Sequence, residues 1–306
     1  MVERRTENPY VVGSIPTCGT KGFWLTLEAF FLPMNTNKSN ILIGTSGYDY
    51  PEWKGVFYPQ NLKRADFLSY YATQFNALEL NNTFYNMPTA ERLLSFYERT
   101  QGQVQFSIKA NRLLTHEISQ LWQNAASDFI KAVEPLAHKD VLSTILFQLP
   151  QSFHYTNENR LYLAALIQKF KEFPVVVEFR HIEWMKPSVF EGLEKLNASL
   201  VYCDMPQLKY LPDGKTVQIP LIGENAYIRL HGRNEEAWYA TEGSARYTYD
   251  YSEDELKSFV PVIQTAAVVC KKVHVFFNNH PDGNGAKNAQ RIKQLIQPEE
   301  PSLNRS

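Results

Sequence analysis

The chain has 306 residues, a formal net charge of -1, and 44% apolar against 21% charged residues. That balance supplies a sizeable core and excludes a disordered chain. A charge so close to zero leaves no global basic field, so binding to nucleic acid or an anionic membrane would need a local patch. The three cysteines, Cys18, Cys203 and Cys270, lie too far apart for a zinc-finger or disulfide framework and point to a reducing, cytoplasmic compartment.

In chain order, residues 1–40 lack strand-helix alternation and end in the polar "MNTNKSN". They are expected to form a poorly ordered extension, with Met34 a candidate for the true start. The run "GFWLTLEAFFL" carries Glu28 and is too short to span a bilayer. It also lacks a clear signal-peptide cleavage pattern, so a soluble protein is expected.

Strand-like runs then follow: "ILIGTSG", "ALELNNTFY", "VQFSIKA", "STILFQLP", "VVVEFR", "SLVYCD", "AYIRLHGR" and "KVHVFFNN". Between them, segments such as "RADFLSYYATQF", "TAERLLSFYERT", "RLYLAALIQKF" and "SEDELKSF" carry apolar residues at helical spacing. Eight strands alternating with helices predict an α/β fold, a TIM-like (β/α)8 barrel over residues 41–296. An open doubly wound sheet is the alternative. The stretch "MPQLKYLPDGKTVQIPLIGEN" reads as loop, so the barrel is expected to be irregular between strands six and seven. Residues 297–306 form a polar tail.

Splitting each strand into its two faces separates apolar from polar residues. Leu78 and Leu80 oppose Glu79, Asn81 and Thr83; Val175, Val177 and Phe179 oppose Val176, Glu178 and Arg180; Ile228 and Leu230 oppose Tyr227, Arg229 and His231. Lys109 opposes Ile108, Gln148 opposes Phe147, and Asp204 opposes Cys203. With the apolar face on the helices, the polar set points into the barrel near the C-terminal strand ends, where barrel enzymes keep their sites. The bland alternative is an ion-pair lattice that plugs the barrel.

In charge, Glu79, Glu178 and Asp204 offset Lys109, Arg180 and Arg229, and the arginines suit bidentate grip of phosphate or carboxylate. No cofactor is predicted. A divalent metal stays open, with Glu79, Glu178, Asp204 and His231 as the ligand candidates, although so many guanidiniums are unusual for a metal trap. Glu178 and His231 are the candidates for proton transfer. Lys109 is a candidate electrostatic stabiliser or imine-forming nucleophile. Asn278 and Asn279 precede a loop with Gly283 and Gly285 that opens a helix, a setting that can bind an anion. Of the aromatics in "GYDYPEWKGVFYP", most are expected to pack the loop down, with stacking on a sugar or base as the alternative.

The motifs "IGTSGYDYPEWKGVFYP", "ELNNTFYNMP", "FSIKA", "EFRHIEW", "YIRLHGR" and "VFFNNHPDGNGAKNA" run in order from about Ile41 to Ile296. Together they resemble the YecE-like family, also called domain of unknown function 72. The resemblance implies a TIM-like barrel and places the family's motif residues at Glu79, Asn81, Lys109, Glu178, Arg180, Arg229, His231, Arg233 and Asn278. It implies no activity. Its barrel is similar to those of sugar isomerases and the endonuclease IV group, but this sequence lacks the carboxylate and histidine richness of three-zinc nucleases.

The first functional expectation is an enzyme using acid/base and electrostatic catalysis on a small anionic, phosphate- or carboxylate-bearing, sugar-like substrate. Its reaction class, whether isomerase, lyase or hydrolase, stays unresolved. Glu79, Asn81, Arg180, Asp204, Arg229, Arg233, Asn278 and Asn279 would then bind substrate. The alternatives are nucleic-acid binding or endonuclease IV-like processing, and a non-catalytic partner-binding barrel. No membrane partner is expected, and the oligomeric state is open.

Overall fold

The computed structural model describes residues 23–24, 40–212, 220–240 and 243–296. The expectations about the extension, Met34 and the tail therefore fall largely outside the described residues. Within them, β1 (Ile41–Thr45), β2 (Ala77–Leu80), β3 (Gln105–Lys109), β4 (Leu142–Gln148), β5 (Val175–Glu178), β6 (Ala198–Asp204), β7 (Asn225–Leu230) and β8 (Lys272–Phe277) form one eight-stranded sheet. Their spatial order is β1-β8-β7-β6-β5-β4-β3-β2, and every pairing is parallel.

Helices alternate with these strands: α1 (Phe67–Gln74), α2 (Asn82–Tyr85), α3 (Ala90–Arg99), α4 (Trp122–His138), α5 (Asn157–Lys169), α6 (Pro187–Lys195), α7 (Glu253–Val269) and α8 (Asn284–Ile296). Local chemistry sets several starts. Thr89 and Thr156 accept the backbone N–H three residues on, and Ser252 with Glu255 forms a reciprocal capping box. Among the described residues no helix joins β6 to β7. There Pro220–Leu221 pairs antiparallel with Phe23–Trp24 instead, the irregularity expected from the sequence.

The sheet closes into a nearly complete barrel through a seam in which side chains replace most of the ladder. β1 and β2 share one bridge, Ser46 to Glu79. Below it, the Ile43 N–H donates to Asn76 Oδ1 (2.9 Å) and Asn76 Nδ2 donates to the Ile41 carbonyl (3.0 Å). Tyr71 Oη accepts from the Thr45 N–H (2.8 Å) and donates to the Ala77 carbonyl (2.9 Å). Gly44 allows this approach, since a Cβ there would stand 2.0 Å from the Ala77 carbonyl oxygen. This closure is what separates the fold from the open-sheet alternative.

Alternation splits the core into two shells. Leu78, Ile108, Phe147, Val177, Ile228 and Val275 belong to the large shell between barrel and helices, whereas Leu42, Ala77, Leu146, Val176, Val201, Cys203, Tyr227 and Phe276 fill the barrel. The apolar interior stops at Glu79, Glu178 and Arg229, toward the C-terminal strand ends. Strand two is shorter than the sequence suggests. The chain turns into α2 after Leu80 because Thr83 Oγ1 lies within hydrogen-bond reach of the Leu80 and Lys109 carbonyls (3.0 and 2.6 Å). Among the described residues, no helix is long and apolar enough to cross a membrane.

Candidate functional site at the C-terminal mouth of the barrel

Arg229 organises the floor of the mouth. Carried inward by β7 and buried, it donates from Nε and Nη2 to the two oxygens of Glu79 (2.9 and 2.6 Å) and from Nη1 to Glu178 Oε2 (2.5 Å). Tyr227, one turn of the pleat below, donates its hydroxyl to Glu79 Oε2 (2.8 Å). Burial alone would favour the neutral form of Arg229, but Glu178 and Glu79 hold it protonated, with its pKa raised further. Burial would also raise Glu178; the charges of Arg180 and Arg229 overcome this and hold its carboxyl well below the usual range.

This floor matches the lattice alternative, and it removes two residues from their expected roles. Glu79 and Glu178 are both fully buried beneath the mouth, so neither stands free to touch a ligand. A permanently ionised carboxylate gripped by two guanidiniums is a poor general base, so the expected proton-transfer role of Glu178 is replaced by an electrostatic one. Arg180 reaches from the end of β5, donating from Nε to Glu178 Oε1 and from Nη2 to His231 Nε2 (3.1 Å).

His231 is enclosed by Arg180, the Asn278 side-chain amide (2.9 Å from Nδ1) and Trp238, whose ring lies 6.4 Å away. Burial, followed by the Arg180 charge, pushes its pKa down to about 3. It is a neutral imidazole near neutral pH, flanked by Arg180 Nη2 at Nε2 and by the Asn278 amide nitrogen at Nδ1, and its single lone pair accepts from one of these two donors. Such a histidine orients Arg180 better than it moves a proton.

Lys109 is the mouth's distinctive group. It stands at the end of β3, partly exposed, donating to Gln148 Oε1 at the end of β4 (2.8 Å) and covered by the Phe84 ring of α2, 4.4 Å from Nζ. Burial and the neighbouring Arg229 charge lower its pKa to about 7. Its strand end is held in place by α2 through Thr83, and the Asn111 amide donates to the Thr83 carbonyl (2.9 Å).

Around these groups the strand-end loops bring aromatic rings that sequence alternation could not place. Tyr50 stacks on His280 (4.6 Å between centroids), and Tyr247 lies 5.9 Å from His280 and 6.0 Å from His231. Trp238 sits under Arg180, 5.7 Å from its guanidinium carbon. Several buried polar atoms contributed by these loops have no partner among the described residues: Ser46 Oγ after β1, Asn81 Oδ1 after β2, His280 Nδ1 after β8, and Arg246 Nε in the β7–α7 loop. The expected packing role holds for Trp53, Phe57 and Tyr58, which are buried.

Several expected site residues lie elsewhere. On β6 it is Cys203 that faces inward, so Asp204 points to the helix side. There Arg233 donates to both of its oxygens (2.7 to 3.0 Å) and to Glu255 (2.6 Å), while Tyr251 donates to Asp204 (2.7 Å). Asp204 and Arg233 thus form a separate ion pair tying β6 and the end of β7 to α7. Asn279 donates to the Tyr249 carbonyl and to Asn288 (both 2.8 Å), pinning the β8 end onto α8. The Gly283 turn packs against the loop after β1, since a Cβ there would stand 2.7 Å from Val56.

The metal candidates change accordingly. Glu79 and Asp204 are each consumed by an arginine. Glu178, Cys203 and His231 do converge, with ligand atoms within 4.8 Å, but the guanidiniums on Glu178 oppose a cation there.

A parallel eight-stranded barrel with a charged, aromatic-rimmed mouth at its C-terminal end defines a TIM-like barrel protein with a preformed polar site. The chain belongs to the family described as protein of unknown function DUF72, whose model matches residues 42–306. It is similar to the UPF0759 protein YunF of Bacillus subtilis, 27% identical over 272 residues that cover 84% of this chain and 94% of that one. Among solved structures it resembles a DUF72 family protein of Thermotoga maritima (33% identity, TM-score 0.74, 84% and 98% of the two chains covered). Another, from Enterococcus faecalis, matches at 23% identity and TM-score 0.73, covering 87% and 98% of the two chains.

Proposed function

We propose that the protein is an enzyme that moves a proton on a small anionic, sugar-like substrate bound in the barrel mouth, with Lys109 as the acid/base group. The observation that carries this reading is the Lys109 ammonium, whose pKa of about 7 matches what a proton-transfer catalyst needs near neutrality. The charge balance supports the anionic substrate. With Asp204 and Arg233 outside, the interior holds Glu79 and Glu178 against Arg229, Arg180 and Lys109, so a protonated Lys109 leaves a net positive mouth.

The unpartnered Ser46, Asn81, Arg246 and His280 atoms support a polar ligand, because buried groups of this kind are costly unless something pairs with them. The Phe84, Tyr50, Tyr247 and Trp238 rings suit the apolar face of a sugar. Nucleic acid finds less support, since the strongest cations sit inside the barrel rather than along an outer stripe.

The experiment incubates the full chain in D2O with a panel of sugar phosphates and sugar acids and follows carbon-bound hydrogen by NMR. Enzyme-dependent exchange that disappears in Lys109→Met is the expected result. Ligand binding without exchange, or exchange equal in the variant, would remove Lys109 from this role.

A further inference from the structure

At the rim of the same barrel end lies a second cluster, assembled from the loops after β4 and β5. His154 Nδ1 stands 3.3 Å from Glu183 Oε2, and His181 Nδ1 stands 3.7 Å from the same oxygen. All three ligand atoms lie within 4.8 Å of one another. We propose that His154, His181 and Glu183 form a binding site for a divalent transition metal of the zinc class.

The donor set fits such an ion. Imidazole nitrogens and a single carboxylate oxygen suit zinc rather than magnesium or calcium, which take oxygen ligands. Bonds of about 2.0–2.1 Å in a tetrahedron put neighbouring donors about 3.3 Å apart. The His154–Glu183 separation already has that value, and the His181–Glu183 separation is a few tenths longer. His181 Nδ1 accepts the Glu183 backbone N–H at 3.3 Å, so this nitrogen is unprotonated, and an ion would take its lone pair in exchange for that long bond.

The scaffold is set before any ion arrives. Trp184 donates from Nε1 to the Phe153 carbonyl (2.6 Å) and stacks on the Phe153 ring at 5.3 Å, locking the two loops together. The Tyr155 N–H donates to Glu183 Oε2 (3.2 Å), Asn159 holds the His154 carbonyl (2.8 Å), and Tyr210 stacks on His181 at 5.6 Å. The His154 and Glu183 side chains are 55% and 46% exposed, which leaves a coordination position open to water or a ligand. Of the nearby cations, Arg160 and Lys186 rest on the Tyr155 ring (5.1 and 4.2 Å) and Lys209 rests on the Tyr210 ring (4.8 Å). Unlike the buried Glu178, Glu183 makes no bond to a guanidinium among the described residues.

The test is calorimetric titration of the chelator-stripped full chain with Zn2+, with Co2+ absorption as a second reading of coordination. His154→Gln and Glu183→Gln are half-exposed positions at which the fold is expected to survive, checked by circular dichroism. One zinc per chain, with affinity falling at least about tenfold in each variant, is the expected result. No stoichiometric binding by the wild-type chain would overturn the proposal. So would binding that both variants retain, or binding that only Cys203→Ser abolishes.

Discussion

Arg229 donates two hydrogen bonds to Glu79, one to each carboxylate oxygen, with neither side chain more than 1% exposed. This bidentate pair spans the barrel from β7 to β2, the strand at the seam. Replacing Arg229 by Met leaves Glu79 buried with only the Tyr227 hydroxyl and Glu178 with Arg180 as its one guanidinium, and losing one member of a buried pair costs about 3–5 kcal/mol. Urea unfolding is expected to show a lower midpoint, corresponding to an unfolding free energy smaller by that amount. An unchanged midpoint would mean that the carboxylates are protonated in the folded protein.

The Lys109 amine is expected to react as a neutral nucleophile far below the pH at which ordinary lysines do. Reductive methylation followed by mass spectrometry should place its half-reactive point near pH 7, against about 10.4 for exposed lysines. The stability consequence follows from the sign. Between pH 7 and 10.5 the unfolded chain carries a proton at this lysine that the folded chain does not, so stability from this group rises with pH through that window. Lys109→Met should abolish the rise.

On the acid side, His231 and His274 are buried, and both have pKa values pushed down to about 3, chiefly by burial. The unfolded chain takes up protons at both as pH falls below the ordinary value of 6.5. Together they should remove about 3 kcal/mol of stability per pH unit once the unfolded histidines are protonated. Denaturation midpoints measured between pH 7 and 4.5 check this. A flat profile would place a charged histidine in the barrel.

Tyr71→Phe keeps the ring and removes only the hydroxyl that serves Thr45 and Ala77 at the seam. With two strand groups left unpaired, the expected loss is about 1–3 kcal/mol. Hydrogen exchange at the Thr45 amide should accelerate more than at amides of β4. Uniform acceleration would mean that the seam opens only with global unfolding.

Asp204→Asn breaks the charge pairing with Arg233 on the helix side of the barrel. It should lower stability while leaving the affinity of any mouth ligand within about twofold, because well-separated sites behave additively. Arg180→Gln should do the reverse to affinity. If Asp204→Asn weakened the ligand as much, Asp204 would belong to the site after all.

The strand count, the loop between strands six and seven, and the inward placement of Glu79, Lys109, Glu178, Arg180, Arg229 and His231 were legible in the sequence, whereas the choice of barrel over open sheet rests on the closed seam. The legible features follow from local periodicity, which a strand carries in its own residues. Alternation failed where the strand it assumed ended or changed sense. Asn81 and Thr83 lie beyond Leu80 in a helical turn, and Asp204 sits one residue out of phase with the inward Cys203. Tertiary structure alone decided which charges neutralise one another, because Arg229 meets Glu79 and Glu178 across the barrel rather than along the chain. The same holds for the Lys109 pKa and for the rim trio of His154, His181 and Glu183. Electrostatics and coordination depend on distance and burial, and those are known only once the sheet has closed.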